Sequence, residues 1–334
     1  DNFIEMATEL AKKKGREGEW CFSLDTNFFI ILKFSRNREL RREILELVGS
    51  KCNGGEFDNS DILKKIADLR HEKANLLGSE THADYVLNRR MAKSKNNVYK
   101  LIDELIDPSF KTAKDEFEII KKYAFNKDAI NELKSWDTAY YSNMYKQEKF
   151  NFDDECLRPY FKSENVLNGV FKVAKKLYDL DFKLLDNVQI FHDEVTVYEV
   201  TDKNSEHVGI IYVDLYPRAT KRGGAWMNQL RSQGLFNGTV QRPHVTMNCN
   251  LTRPTDDKPA LWSISEVRTV FHEFGHCLHG LLSNVKYQSL GSMSVYWDFV
   301  ELPSQIFENW LSEPEVIEMY ANHYKTNEIL PQEY

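Results

Sequence analysis

Residues 271–283 read Phe-His-Glu-Phe-Gly-His-Cys-Leu-His-Gly-Leu-Leu-Ser, and they lie in a run whose apolar residues recur at helical spacing. Upstream, Ser263 and Glu266 form a capping-box pattern after Pro259, so a helix is predicted to begin there. His272 and His276, at i and i+4, then stand one turn apart on one face, where both imidazoles can reach a single ion. Glu273 points about 100° further round the helix. Its carboxylate stays near the ion without taking a coordination position, as a general base toward water requires. A catalytic zinc site keeps three protein ligands, so a third is needed. The extended motif HExxHxxGxxH does not supply it, because His279 and Gly280 fall in another register. Asp298-Phe-Val-Glu-Leu-Pro-Ser-Gln-Ile-Phe-Glu-Asn-Trp310 reads as a second helix, with Pro303 in the first turn, where N–H groups lack partners anyway. Glu301, near its start, can face the ion across a helix–loop–helix. The predicted centre is one zinc on His272, His276 and Glu301, with Glu273 as the catalytic base. For the outer oxygen that a ligand imidazole usually meets with its second N–H, Gln305 is the first candidate and Asp298 the second.

Working outward, the pattern changes near residue 190. Val195–Thr201 alternates strictly, Asp202-Lys-Asn-Ser makes a turn, and Val208–Tyr216 runs apolar, which predicts a hairpin. Gly223-Gly224-Ala225-Trp226-Met227 and Val245–Cys249 are expected to add two short strands. Residues 1–185 read instead as a helical region. Asn59-Ser60 caps a helix that Gly78 closes, Thr81 opens another, and Pro108 punctuates the one through Leu101 and Leu105. Val166, Leu167, Val170, Phe171 and Ala174 mark a further helix. The tyrosines and phenylalanines of this half are expected in a core. Residues 186–334 then hold the small sheet and the metal-binding helices.

Composition narrows the function. The 334 residues are 42% hydrophobic and 28% charged, as in ordinary globular proteins, and the net charge of −7 offers no footprint for nucleic acid. No apolar run reaches the length of a membrane span. Five scattered cysteines without a CxxC pair suggest reduced thiols and a cytoplasmic location.

The metal helices FHEFGHCLHGLLS and DFVELPSQIFENW closely resemble those of the thimet oligopeptidase, oligopeptidase A and peptidyl-dipeptidase family of zinc metallopeptidases. SWDTAYYSNMY (135–145), LRPYF (157–161), VYEV (197–200), DLYPR (214–218) and GGAWM (223–227) look like that family in its order. The paired glycines resemble the peptidyl-dipeptidase branch. The chain departs from the family at 290–299, where LGSMSVYWDF places Tyr296-Trp297 in the position of a Pro-Arg. The resemblance implies a mainly α fold: a zincin-like core with the HExxH helix, a second ligand helix and a small β-sheet. It also implies that this is a central fragment of a longer enzyme, with a C-terminal donor for the oxyanion lying outside it. The expected activity is zinc-dependent hydrolysis of short peptides by a monomer, releasing C-terminal dipeptides, with endo-acting cleavage as the alternative. A catalytically dead peptide-binding protein is the rival reading; the intact His272, Glu273, His276 and Glu301 speak against it. A substrate that varies in sequence is best held by main-chain hydrogen bonds to a sheet edge, and Gly223, Gly224, Ala225 and Trp226 are the expected docking strand.

Overall fold

The computed structural model describes residues 2–22, 24, 28–151, 154–255 and 257–333. The chain is mainly helical and forms two compact units, Asp1–Phe152 and Asp153–Tyr334. Among the described residues, no helix is long and apolar enough to cross a membrane.

The first unit contains α1 (Asn2–Lys13), α2 (Phe28–Phe34), α3 (Arg38–Gly49), α4 (Ser60–Leu76), α5 (His82–Leu87), α6 (Lys95–Asp128) and α7 (Ser135–Phe150). Helices α3 and α7 are joined by Asp137, which is fully buried and pairs with Arg38 at 2.7 Å and Arg41 at 2.9 Å. Arg41 also donates to the carbonyls of Ser35 and Trp136, so its buried charge is met by protein oxygens on each of its three nitrogens. Thr81 caps α5 as expected, its hydroxyl accepting from the Asp84 N–H. Pro108 does not end its helix. It lies inside α6, where its missing N–H removes one ladder bond while strong helix formers continue on either side. Among the described residues, the aromatics of this unit are only partly in a core. Ala124, Tyr140 and Tyr141 are buried with Ile120, Tyr123 and Met144 around them, whereas Ile62, Leu69, Leu105 and Phe110 are more than half exposed. Helix α4 packs on α5, whose six residues cannot cover a helix of seventeen.

In the second unit a 3₁₀ turn at Asp154–Tyr160 leads into α8 (Ser163–Tyr178). The strands are β1 (Asp181–Leu184), β2 (Thr196–Thr201), β3 (His207–Asp214), β4 (Trp226–Arg231), β5 (Gly234–Phe236), β6 (Thr239–Gln241) and β7 (His244–Asn248). After them come α9 (Ile264–Leu281), α10 (Leu302–Glu308) and α11 (Pro314–Tyr320). The compact unit begins earlier than the change in sequence texture near residue 190. The reason is that α8 buries Val166, Val170 and Ala174 while packing on α9, α11 and β1. Strand order is β1-β2-β3-β7-β4, with β3 and β7 parallel and every other neighbour antiparallel. The β2–β3 hairpin turns at Asp202, whose carboxylate accepts from the N–H groups of Asn204 and Glu206. Helix α9 lies on β7, β4 and β3, so Val245 and Met247 are buried with Val267, Val270 and Phe274. Strand β4 is thereby left as the sheet edge next to α9.

Candidate metal centre

Helix α9 starts where the sequence indicated. The Ser263 hydroxyl accepts from the Glu266 N–H at 3.2 Å, and the Glu266 carboxylate accepts from the Ser263 N–H at 2.8 Å. Glu266 also accepts from the Thr252 N–H and from Arg158, which ties the helix N-terminus to the loop after β7 and to the 3₁₀ turn. Two turns on, His272 and His276 present rings with centroids 4.9 Å apart.

The third member arrives through a close helix crossing. A Cβ on Gly275 would lie 2.7 Å from the Pro303 carbonyl oxygen and from the Ser304 Cα. Only the absence of a side chain there lets α10 come this near. Pro303 occupies the first turn of α10, and Glu301 immediately precedes the helix. The Glu301 Oε2 atom sits 3.2 Å from His272 Nε2 and 3.1 Å from His276 Nε2. The Ser304 hydroxyl, 2.8 Å away, donates to the same carboxylate oxygen. One donor atom from each of the three residues falls within 4.8 Å of the others.

Behind His272, its Nδ1 lies 2.7 Å from Glu308 Oε1. A carboxylate only accepts, so Nδ1 donates to Glu308 and Nε2 is the nitrogen that faces Glu301. The Nε2 atoms of His272 and His276 and the Oε2 atom of Glu301 face one another, the arrangement that a single cation would bind. Tetrahedral zinc with ligand bonds of about 2.05 Å has ligand–ligand edges of about 3.3 Å, close to the observed separations. The donor set therefore fits zinc. The outer oxygen is supplied by Glu308, not by Gln305, whose side chain is exposed. Asp298 lies in the turn ahead of Glu301. Glu308 was legible only as seven residues, two turns, past Glu301 on the same face.

Glu273 is 5% exposed and its Oε2 has no hydrogen-bond partner among the described residues. Burial pushes its carboxyl up to about 7; the neighbouring His272 charge opposes this and Glu301 adds to it. Burial also lowers the pKa of His276, whose Nδ1 is likewise unpartnered among the described residues. His279 lies one turn on, with a buried Nδ1, outside the three-residue cluster.

The expected docking residues lie at the start of the edge strand. Trp226 is the first residue of β4, paired with Asn248, while Gly223, Gly224 and Ala225 form the bend before it. The strand begins later than expected because Gly224 adopts φ +87°, which is not extended. Asn250 fixes this bend by donating to the carbonyls of Arg222 and Gly224. Among the described residues, no atom beyond the chain neighbours lies within 4 Å of a Cβ built on Gly223 or Gly224. The preceding loop is anchored by Asp214, which pairs with Arg218 through both oxygens and with Lys221 at 2.8 Å.

Comparison with known proteins identifies the family. Residues 31–334 match Peptidase family M3. Oligopeptidase A of Salmonella typhimurium is 37% identical over all of this chain and 50% of its own length. Dipeptidyl carboxypeptidase of Escherichia coli is 32% identical over 99% of this chain and 49% of its own length. Saccharolysin of Saccharomyces cerevisiae is 32% identical over 92% of this chain and 44% of its own length. The chain belongs to Peptidase family M3. It spans about half the length of the curated relatives it matches.

Proposed function

We propose that this chain carries the zincin-like catalytic core of a zinc-dependent peptidase that hydrolyses short peptides. The observation carrying this reading is the meeting of His272, His276 and Glu301 beside a buried Glu273 carboxylate. Zinc held by the three residues would supply a Lewis acid that polarises the scissile carbonyl and activates water. Glu273 takes the proton of the attacking water and hands it to the departing amine. Burial raises the pKa of this carboxyl, which favours its holding the proton between the two halves of that exchange. Glu308 holds the His272 ring and Ser304 holds the Glu301 carboxylate, so neither donor has to be ordered when the ion enters.

The peptide adds as a strand to the free edge of β4, entering past Gly223, Gly224 and Ala225, with Trp226 beside it. Support comes from the edge position of β4 against α9 and the open space over the glycines. All five cysteines are free, which fits a cytoplasmic protein. The full chain should contain zinc and cleave a fluorogenic peptide. Glu273→Gln should keep the zinc and lose about 10²–10⁴ in kcat, the usual share of a general base. Wild-type kcat in that variant would refute the assignment.

Two modes of cleavage remain within this reading. The paired glycines favour release of C-terminal dipeptides, whereas the higher identity to an oligopeptidase A favours internal cleavage. A substrate amidated at its C-terminus decides between them, because only internal cleavage is indifferent to a missing terminal carboxylate.

A further inference from the structure

An open cleft of about 360 Å³ lies at the far end of the edge strand, between β4, the start of β3 and the β5–β6 hairpin. Among the described residues, its polar lining consists of Arg231, Arg242, His207, Thr239 and Gln241, none of them acidic. Both guanidiniums are oriented by main-chain oxygens. Arg231 Nε donates to the Arg242 carbonyl at 2.9 Å. Arg242 Nε donates to the Val208 carbonyl at 2.7 Å, and its Nη2 to the Leu281 carbonyl at 2.9 Å. Neither arginine has a carboxylate partner among the described residues, although the chain as a whole carries a net charge of −7. His207 is already engaged by Glu199, so the uncompensated positive charge rests on the two arginines. Guanidinium N–H groups fixed in place and left without an anion are a recognition element for a carboxylate.

The position of this cleft relative to the metal helix follows from register. Trp226 pairs with Asn248 at one end of β4, and Arg231 pairs with His244 at the other. Cys249, next after β7, lies close enough to Glu273 to feel its charge, whereas Arg242 caps the Leu281 end of α9. Glu273 and Leu281 are separated by about 12 Å of helix, at about 1.5 Å per residue. An extended peptide covers that distance in about four residues. Antiparallel addition to β4 is the more stable pairing. It runs the peptide from the Arg231 end toward the metal helix, so the N-terminal part of the peptide reaches the cleft.

We propose that the Arg231–Arg242 cleft is a substrate subsite that takes an acidic side chain about four residues N-terminal to the scissile bond. This rests on the docking of peptide along β4 argued above. The test uses the full zinc-loaded chain and two short peptides, differing only by Glu or Gln at that upstream position, in low-salt buffer. The Glu peptide should have about fivefold higher kcat/KM, the scale of one partly exposed charged pair. Arg231→Gln should bring the ratio to about one, and Arg231→Glu should invert it in favour of a Lys peptide. Fluorescence anisotropy with the same peptides on Glu273→Gln protein reads the same preference without turnover. Cleavage of both peptides at equal rates with equal binding overturns the subsite and leaves the peptidase reading intact. Absence of cleavage for both, with the Glu preference still present in binding, leaves the cleft as a site for acidic peptides and overturns its placement relative to a scissile bond. Inorganic phosphate bound by wild type but not by Arg231→Gln, with no Glu preference among peptides, would make the cleft a site for free anions and overturn the assignment to substrate.

Discussion

Glu308 lies outside the three-residue cluster, yet it sets which nitrogen of His272 faces that cluster. Its carboxylate accepts from Nδ1 at 2.7 Å and is itself approached by Arg268 at 3.5 Å. Glu308→Gln keeps an acceptor but removes the charge, so the imidazole becomes a poorer donor. Zinc affinity, read by competition with a chromophoric chelator, should fall about 10–100-fold. Unchanged affinity would show that the ring is held by packing alone. His272, Glu273 and His276 were legible in the sequence because their relation is local to one helix. Glu301 was legible because Pro303 marks a helix start. Glu308 was not, since an acidic residue on a short helix has the same appearance whether it faces water or a ligand ring. Asp214 belongs to the same class of hidden role. Burial raises its carboxyl pKa, but Arg218 and Lys221 lower it further, so the net shift is below the ordinary carboxylate value. A depressed folded pKa adds stability above the unfolded pKa of about 3.9, and that stability is lost as pH falls through the folded value. The melting-temperature gap between wild type and Asp214→Asn should therefore be widest near neutrality and narrow below about pH 4. A gap that stays constant into acid would assign the loss to packing.

The crossing of α9 with α10 depends on a single missing side chain. At Gly275 a methyl group would meet the Pro303 carbonyl and the Ser304 backbone, neither of which is a flexible side-chain end. Gly275→Ala should push α10 outward, costing about 1–3 kcal/mol of stability as overpacking does. It should also weaken zinc binding, because Glu301 rides on the displaced helix. Denaturant unfolding and zinc titration together check this, and wild-type values in both would remove the crossing from the account. The same elements show where sequence reading reaches and stops. Periodicity located α8, the β2–β3 hairpin and α9, whose apolar faces are buried. It missed the β5–β6 hairpin, although Asn237 and Gly238 at φ +49° and +81° are the turn pair that favours such hairpins. It misjudged α6 because a proline says only that one ladder bond is lost, and twenty further helix-forming residues outweigh that.

For the molecule as a whole, the proposed metal site is a link between helices that the unfolded chain does not possess. His276 and Glu301 are twenty-five residues apart in sequence, and they meet only when α10 is packed on α9. Zinc that binds the folded form alone raises stability by RT ln(1 + [Zn]/Kd), about 2.7 kcal/mol when free zinc exceeds Kd a hundredfold. For a unit of this size that corresponds to a rise in Tm of about 5–10 °C. Five cysteines and nine histidines in the unfolded chain also bind zinc, which reduces the observed rise. His276→Ala separates the two effects. It removes a ligand from the folded site and leaves the unfolded chain's remaining thiols and imidazoles almost unchanged. Wild-type protein should melt higher with zinc than with chelator, while His276→Ala should melt at the same temperature or lower when zinc is added. Circular dichroism should report more helix than strand in every sample, since the ion orders side chains on helices already formed. Equal zinc-dependent shifts in both proteins would mean that the ion binds elsewhere, and the three-residue cluster would lose its claim to be the metal centre.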